Sequence, residues 1–287
     1  MSGSIKRVLV IGGTGSIGKP VAHKLLEANF KVTVGTRSAA GARRIFGEGV
    51  RSVEIDNLDK SSVLKALQDQ DAIHLNLPSG PRFEDCFRNE TRATEIIAAA
   101  ARESGIQRIS YLSGTAVGRD VKFPPSQAKW QAEEAVRASG VPYTICRATW
   151  FMETLHKLVR GHFIAIIGSG KSRAHWLAGE DLGRMVARSF AMEEAANKVF
   201  YAFGPELLSY REAVKIFRRI CHPGKMIVSM PTGIAIAMGN IINRELWFGA
   251  QMIKFLDQTD EIGDPDEANR ILGSTTTTLT EFLRNRA

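Results

Sequence analysis

The run Val-Leu-Val-Ile-Gly-Gly-Thr-Gly-Ser-Ile-Gly at 8–18 constrains this chain more than any other segment. Four large, mostly β-branched residues make a buried parallel strand, and the chain then breaks into a glycine-spaced turn. Gly13, Gly15 and Gly18 satisfy G-x-G-x-x-G, while Gly12, Gly15 and Gly18 satisfy G-x-x-G-x-x-G. In such a turn the first glycines supply free φ, the middle one lets the backbone approach a pyrophosphate, and the last lets the following helix pack close. A helix expected over 17–29, with Ile17, Val21 and Leu25 on one face, points its positive end at the phosphates. A strand expected over 30–34 completes a βαβ unit, so the context favours dinucleotide binding over a plain glycine loop. Gly12, Thr14, Gly15, Ser16, Ile17 and Gly18 are its candidate phosphate-loop residues.

The end of the second strand reads Gly-Thr-Arg-Ser at 35–38. An NAD-preferring site usually places a carboxylate there for the ribose hydroxyls, and this segment has none. Arg37 can clamp a 2′-phosphate through its guanidinium fork, with Ser38 as hydroxyl donor and Arg43 or Arg44 in reserve, so NADP(H) is the expected cofactor. The alternative is that Arg37 is an ordinary exposed arginine.

Strands expected over 52–55, 72–77, 108–112 and 142–146 alternate with helices over 60–68, 84–104 and 126–139. That alternation predicts an α/β fold, a Rossmann-type doubly wound parallel sheet with right-handed crossovers. Residues 1–150 read as the NADP-binding domain and 151–287 as a smaller substrate or partner-binding region. The latter carries helices over 152–160, 180–192, 210–220, 243–256 and 279–285, and a strand over 163–167. The apolar stretch 226–242 is interrupted by Pro231, Gly233, Gly239 and Asn240. It reads as packing of a small lid, with a membrane-surface or partner-docking role for 226–256 as the alternative.

Ligands in open α/β sheets lie beyond the carboxyl ends of the strands. Asp56, Asn57 and Leu58 close the third strand, where Asp56 can accept from an adenine amino group and Leu58 can pack on the ring. Asn76, Leu77 and Pro78 close the fourth and would flank ribose and pyrophosphate. Ser113 closes the fifth, near the expected nicotinamide. Cys146 and Thr149 close the sixth, where Trp150 or Phe151 would border the substrate. Turn-making or packing explains any one of these equally well.

The 287 residues carry a net charge of +8, but the basic residues are scattered, which argues against a specific nucleic-acid surface. Cys86, Cys146 and Cys221 have neither disulfide nor metal-site spacing, so no metal is expected and a reducing, cytoplasmic setting fits. The early first strand leaves no room for a signal peptide, and no apolar run reaches transmembrane length.

With those residues in view, the chain resembles the atypical short-chain dehydrogenase/reductases, specifically the NmrA-like and isoflavone-reductase-like branch. The resemblance rests on Gly-Gly-Thr-Gly-Ser-Ile-Gly at 12–18, Thr36-Arg37-Ser38, Ser-Gln-Ala-Lys-Trp-Gln-Ala-Glu at 126–133, and the segment 139–153. It extends to Gly-Glu-Asp-Leu at 179–182 and to the closing Thr-Thr-Leu-Thr-Glu-Phe-Leu. Aligning the catalytic Tyr-x-x-x-Lys of ordinary members on Lys129 puts Pro125 where the tyrosine should be. Proline has no ionisable proton, so the usual Ser–Tyr–Lys unit is incomplete. The resemblance implies that Lys129 is catalytic or ribose-binding, with Ser113 beside it. Two activities follow: NADPH-dependent reduction of a small organic acceptor (a quinone, enone or other conjugated carbonyl), or a non-catalytic NADP-binding sensor that engages a regulatory protein.

Overall fold

The computed structural model describes residues 4–259 and 261–286. The first half alternates strand and helix: β1 (Arg7–Ile11), α1 (Gly18–Glu27), β2 (Lys31–Thr36), α2 (Ala39–Phe46), β3 (Arg51–Glu54), α3 (Lys60–Leu67) and β4 (Ala72–Leu75). The long helix expected over 84–104 is instead three pieces: α4 (Phe83–Cys86), a π-helical turn (Phe87–Arg92) and α5 (Ala93–Glu103). Next come β5 (Arg108–Gly114), α6 (Pro124–Ala138) and β6 (Tyr143–Ala148). The segment 152–160 is not an α-helix but a 3₁₀ turn over Met152–Leu158.

After residue 150 the chain forms β7 (Val159–Arg160), β8 (Phe163–Ile167), β9 (Arg173–His175) and α7 (Gly179–Ala191). It then returns to the central sheet with β10 (Lys198–Ala202), which pairs in parallel with β6. β11 (Leu207–Ser209), α8 (Tyr210–Cys221), β12 (Met226–Met230), α9 (Thr232–Ile241), α10 (Arg244–Leu256), α11 (Asp266–Leu272) and α12 (Leu279–Arg284) follow.

The main sheet is seven-stranded and parallel, in the order β10-β6-β5-β4-β1-β2-β3. This is the expected α/β Rossmann architecture, since a parallel sheet must have both faces covered. One face packs Val8, Val10, Leu112 and Cys146 under α1, α7 and α11. The other packs Leu9, Ile11, Tyr111 and Ile145 under α3, α5 and α6. A third apolar cluster joins Trp176, Phe217, Leu279 and Phe282 beyond the sheet. The Asp181 carboxylate of 179–182 is buried and receives the Thr277 amide and hydroxyl, each at 3.1 Å, which ties α7 to the C-terminal segment.

The stretch 226–242 resolves into edge strand β12 and helix α9, with Pro231 between them. α9 lies against α10 at Gly239, where a Cβ would stand 2.3 Å from the Trp247 amide nitrogen. Its outward face leaves Ile234, Ile241 and Ile242 exposed. No helix among the described residues is long and apolar enough to cross a membrane.

His74 in β4 is fully buried, with Nδ1 2.9 Å from Ser110 Oγ and Nε2 without a partner among the described residues. Burial pushes the imidazole down from 6.5 to about 3. Below pH 6.5 the unfolded chain binds this proton and the folded chain does not, so stability falls with pH by about 1.4 kcal/mol per unit until the folded value is reached. Denaturant unfolding at pH 7, 6, 5 and 4 should show that decline, and His74→Asn should flatten it. An unchanged slope would show that His74 is not the proton-linked group.

Candidate active site

The glycine turn is made tight by backbone crowding. Gly12 has φ +78°, and a Cβ there would stand 2.0 Å from the Asn76 carbonyl oxygen. A Cβ on Gly18 would stand 2.1 Å from the Gly12 carbonyl oxygen, and one on Gly13 would press Val34 and Val10. Gly15 differs: it is exposed, and the nearest atom to a Cβ is the Gly12 oxygen at 3.2 Å. Three glycines therefore serve the protein's own packing, and Gly15 is the least crowded of the four, with only the Gly12 oxygen close to a Cβ. α1 begins at Ile17 with no side-chain cap and no acid in its first turn, which leaves its positive end available to an anion. Thr14 is half-buried, Ser16 is exposed, and Ile17 packs on the core.

Arg37 is exposed at the end of β2. Ser38 is committed to capping α2, accepting from the Gly41 amide at 3.3 Å. Although β2 itself ends without an acid, Thr36 lies in register with Glu54 of β3, whose Oε1 accepts from the Ala39 amide at 3.3 Å. A carboxylate from the neighbouring strand thus reaches the backbone at the start of α2, two residues after Arg37. Asp56 is exposed and accepts from the Leu58 amide at 2.9 Å, while the Asn57 side-chain oxygen is buried without a partner among the described residues. Leu58 and Leu77 pack on the core, Asn76 donates its amide to Ile11 O at 3.1 Å, and Pro78 is exposed.

Lys129 lies at the carboxyl end of β5. Its Nζ donates to Glu90 Oε1 at 2.8 Å and to Leu112 O at 3.3 Å, and its Cδ is 4.0 Å from where a Cβ on Gly114 would lie. The Lys129 side chain is 22% exposed and that of Glu90 is 0%, so the lysine is partly open to solvent and its counter-charge is not. Glu90 also accepts from the Tyr111 hydroxyl at 2.8 Å. Burial, with Glu90 alongside, pushes that phenol well above its usual value, so it stays a neutral donor.

The Ser113 hydroxyl is turned to a second carboxylate. It is buried and donates to Glu133 Oε1 at 2.6 Å. Glu133, also fully buried, takes Arg147 through Nε at 2.9 Å and Nη2 at 2.7 Å, and Arg137 Nη2 at 2.9 Å. Cys146 sits inside the core rather than at the strand mouth, and burial raises its thiol to about 12. Thr149 donates to Glu261, whose Oε2 is 2.5 Å from His175 Nδ1; the His175 ring stacks on Phe203 at 5.0 Å. Trp150 packs against Trp176 and Tyr210, and Phe151 on the core.

Pro125 is buried in the first turn of α6, where a missing N–H costs nothing. Over this end of the helix lies an aromatic group the sequence reading did not find. Phe83 meets Phe123 at 5.6 Å and Trp247 at 4.8 Å, and Phe255 stacks on Phe123 at 4.3 Å. Glu90, Tyr111 and Glu54 were missed as well. Glu90 and Lys129 are 39 residues apart, so no local spacing signals the pair.

The NmrA-like family profile matches residues 4–263. The chain belongs to the NmrA-like family. Among its relatives, an NAD(P)H azoreductase of Xenophilus azovorans is 25% identical over 212 residues, covering 71% of this chain and 70% of that protein. A chloroplastic divinyl chlorophyllide a 8-vinyl-reductase of Zea mays is 28% identical over 243 residues, covering 77% of this chain and 61% of the relative. The triphenylmethane reductase of Citrobacter sp., solved with NADP(H), superposes with a TM-score of 0.76 over 98% of this chain and 100% of that one; at 19% identity this shows the shared fold.

The glycines of this family member make separable predictions about folding. Gly18→Val forces a side chain into backbone and should lower stability by several kcal/mol. Gly15→Val should cost no more than about 1 kcal/mol, because nothing but the Gly12 oxygen crowds it. Thermal melting of the two variants checks this; equal losses would show that Gly15 is also packed.

Proposed function

We propose that the protein is an NADPH-dependent reductase of a small conjugated acceptor such as a quinone or enone, with Lys129 as proton donor. The observation that carries this reading is the Lys129 ammonium, held at the carboxyl end of β5 by Glu90 and the Leu112 carbonyl, on a side chain that is partly exposed. The turn fits a dinucleotide: Gly15 offers an open backbone face, and the α1 N-terminus is uncapped. Arg37 would hold a 2′-phosphate, and Asp56, Asn57 and Leu58 the adenosine side. The Xenophilus relative is named for NAD(P)H and the Citrobacter neighbour was solved with NADP(H), which supports the cofactor class.

NADPH would supply a hydride to the acceptor. Delivery to a conjugated carbon leaves negative charge on the acceptor oxygen, and Lys129 would pass it a proton and regain one from water. Within this reading, residues 1–150 hold the cofactor, and residues 151–287 contribute Trp247 and Phe255 to an aromatic wall for a flat acceptor. Ser113 acts through Glu133, as part of what holds α6 to β5. Three free cysteines fit a reducing, cytoplasmic setting. Pro125 favours the second reading, an NADP sensor that never turns the cofactor over.

Lys129→Ala separates the two. A reductase should lose about 10²- to 10⁴-fold in turnover with 1,4-naphthoquinone or an enone, with NADPH affinity measured separately. Wild-type protein that binds NADPH yet oxidises it with no acceptor would establish the sensor instead.

Cofactor choice is testable at Arg37. Arg37→Ala should weaken NADPH by about 1.5–3 kcal/mol at most and leave NADH nearly unchanged. Because Arg37 is exposed and Glu54 stands nearby, the lower part of that range is expected. An unchanged NADPH/NADH ratio would remove Arg37 from the site.

A further inference from the structure

We infer that Glu90, presented by the π-helical turn, is the positioning residue of Lys129 and sets where its ammonium points; this rests on the reading of Lys129 as proton donor. Successive residues of an α-helix differ by about 100° in direction, so two neighbours sit at opposite edges of one buried face. In the π-helical turn Phe87–Arg92, Glu90 and Thr91 are both buried and both bond to α6. Glu90 takes the Lys129 ammonium at 2.8 Å, and Thr91 Oγ1 donates to the carbonyl of Ala128, the residue before it, at 2.9 Å. One turn therefore grips both the backbone and the head group of the same segment. π-Turns inside helices are rare and recur at functional sites.

The carboxylate is itself held in place. Tyr111 from β5 donates to Oε2 at 2.8 Å, and Ser79 from the loop after β4 donates to Oε1 at 3.5 Å. Cys86 of α4 adds no competing charge, since burial and Glu90 raise its thiol to about 12. Lysine is a flexible stem with a point charge, and by itself it would sample many positions at the mouth of the sheet. Paired with a fixed, fully buried anion on one side and the Leu112 carbonyl on the other, it has a single direction left for a third hydrogen bond.

Glu90→Gln keeps the shape and the Tyr111 contact while removing the negative charge. Trace reductive methylation with formaldehyde and a borane, read by peptide mass spectrometry, should label Lys129 at least fivefold faster in the variant than in wild type. With 1,4-naphthoquinone, kcat should fall 10- to 100-fold while the NADPH dissociation constant stays within threefold. Unchanged labelling together with unchanged kcat in a folded variant overturns the inference, as does a loss confined to NADPH affinity. Turnover lost in Lys129→Ala but kept in Glu90→Gln overturns the positioning role alone. Turnover kept in both overturns the reading of Lys129 on which it rests. If Glu90→Gln does not fold, Thr91→Val releases the Ala128 anchor, and a kcat within error of wild type would then reject the role of the turn.

Discussion

The crowding of backbone at the end of β1 is the constraint on which the rest depends. The Gly12 carbonyl lies within 2.1 Å of any Cβ placed on Gly18, and the Asn76 carbonyl lies within 2.0 Å of one placed on Gly12. Three chain segments meet there at distances only hydrogen permits: the exit of β1, the entry of α1 and the exit of β4. Because β1 is flanked by β2 and β4, this meeting point sets how close α1 lies to the middle of the sheet. The same closeness turns the α1 N-terminus toward the strand mouths, where its unsatisfied amides can serve a phosphate. The packing demand and the binding demand fall on different glycines of one turn.

On the other side of the sheet the organising groups are two buried carboxylates facing α6. Glu90 reaches its start from the π-helical turn, and Glu133 stands on it and holds Ser113, Arg137 and Arg147. A buried charge stripped of its partners costs several kcal/mol, so both must be matched in place. β5 and β6 are thereby registered against α6 through Ser113 and Arg147, and Lys129 is carried to the carboxyl end of β5. Ordinary short-chain reductases would spend this position on a tyrosine; here Pro125 starts the helix instead. The Tyr111 phenol, whose ring lies under the Lys129 ammonium at 5.5 Å, is directed inward at Glu90 and lies in the core.

The nucleotide-binding half was legible because its signals are local. The glycine spacing, the apolar strands and the alternation with helices each occupy a short window, and all agree with the doubly wound sheet found. Lys129 was visible through its motif. The groups that act on it were not, because Glu90 is drawn from a helix whose periodicity looks continuous, and a π-turn leaves no composition signal. Ser113 was placed near the nicotinamide because the end of a strand is a good general guess, yet its hydroxyl turned to Glu133, 20 residues away. Cys146 illustrates the boundary error: the sixth strand runs on to Ala148, so a residue expected at the mouth lies in the core. Glu54 escaped because register between strands, not sequence, brings it opposite Thr36.

The hairpin of α9 and α10 links these local arguments to the acceptor. Gly239 lets the two helices touch at Trp247, and that contact fixes which face of α10 turns inward. Trp247 and Phe255 then meet Phe83 and Phe123, which border α4 and α6. The aromatic group therefore spans the elements flanking the π-helical turn and the helix bearing Lys129. An acceptor bound among these rings would lie near the N-terminal end of α6, and movement of α10 would alter access to it. Glu261 adds a second tie, since it is bound to both Thr149, just after β6, and His175 of β9. On the proposed reading, access to the acceptor would depend on residues far later in the chain than the glycine and lysine motifs, so local sequence signals reach the cofactor side and not the acceptor side.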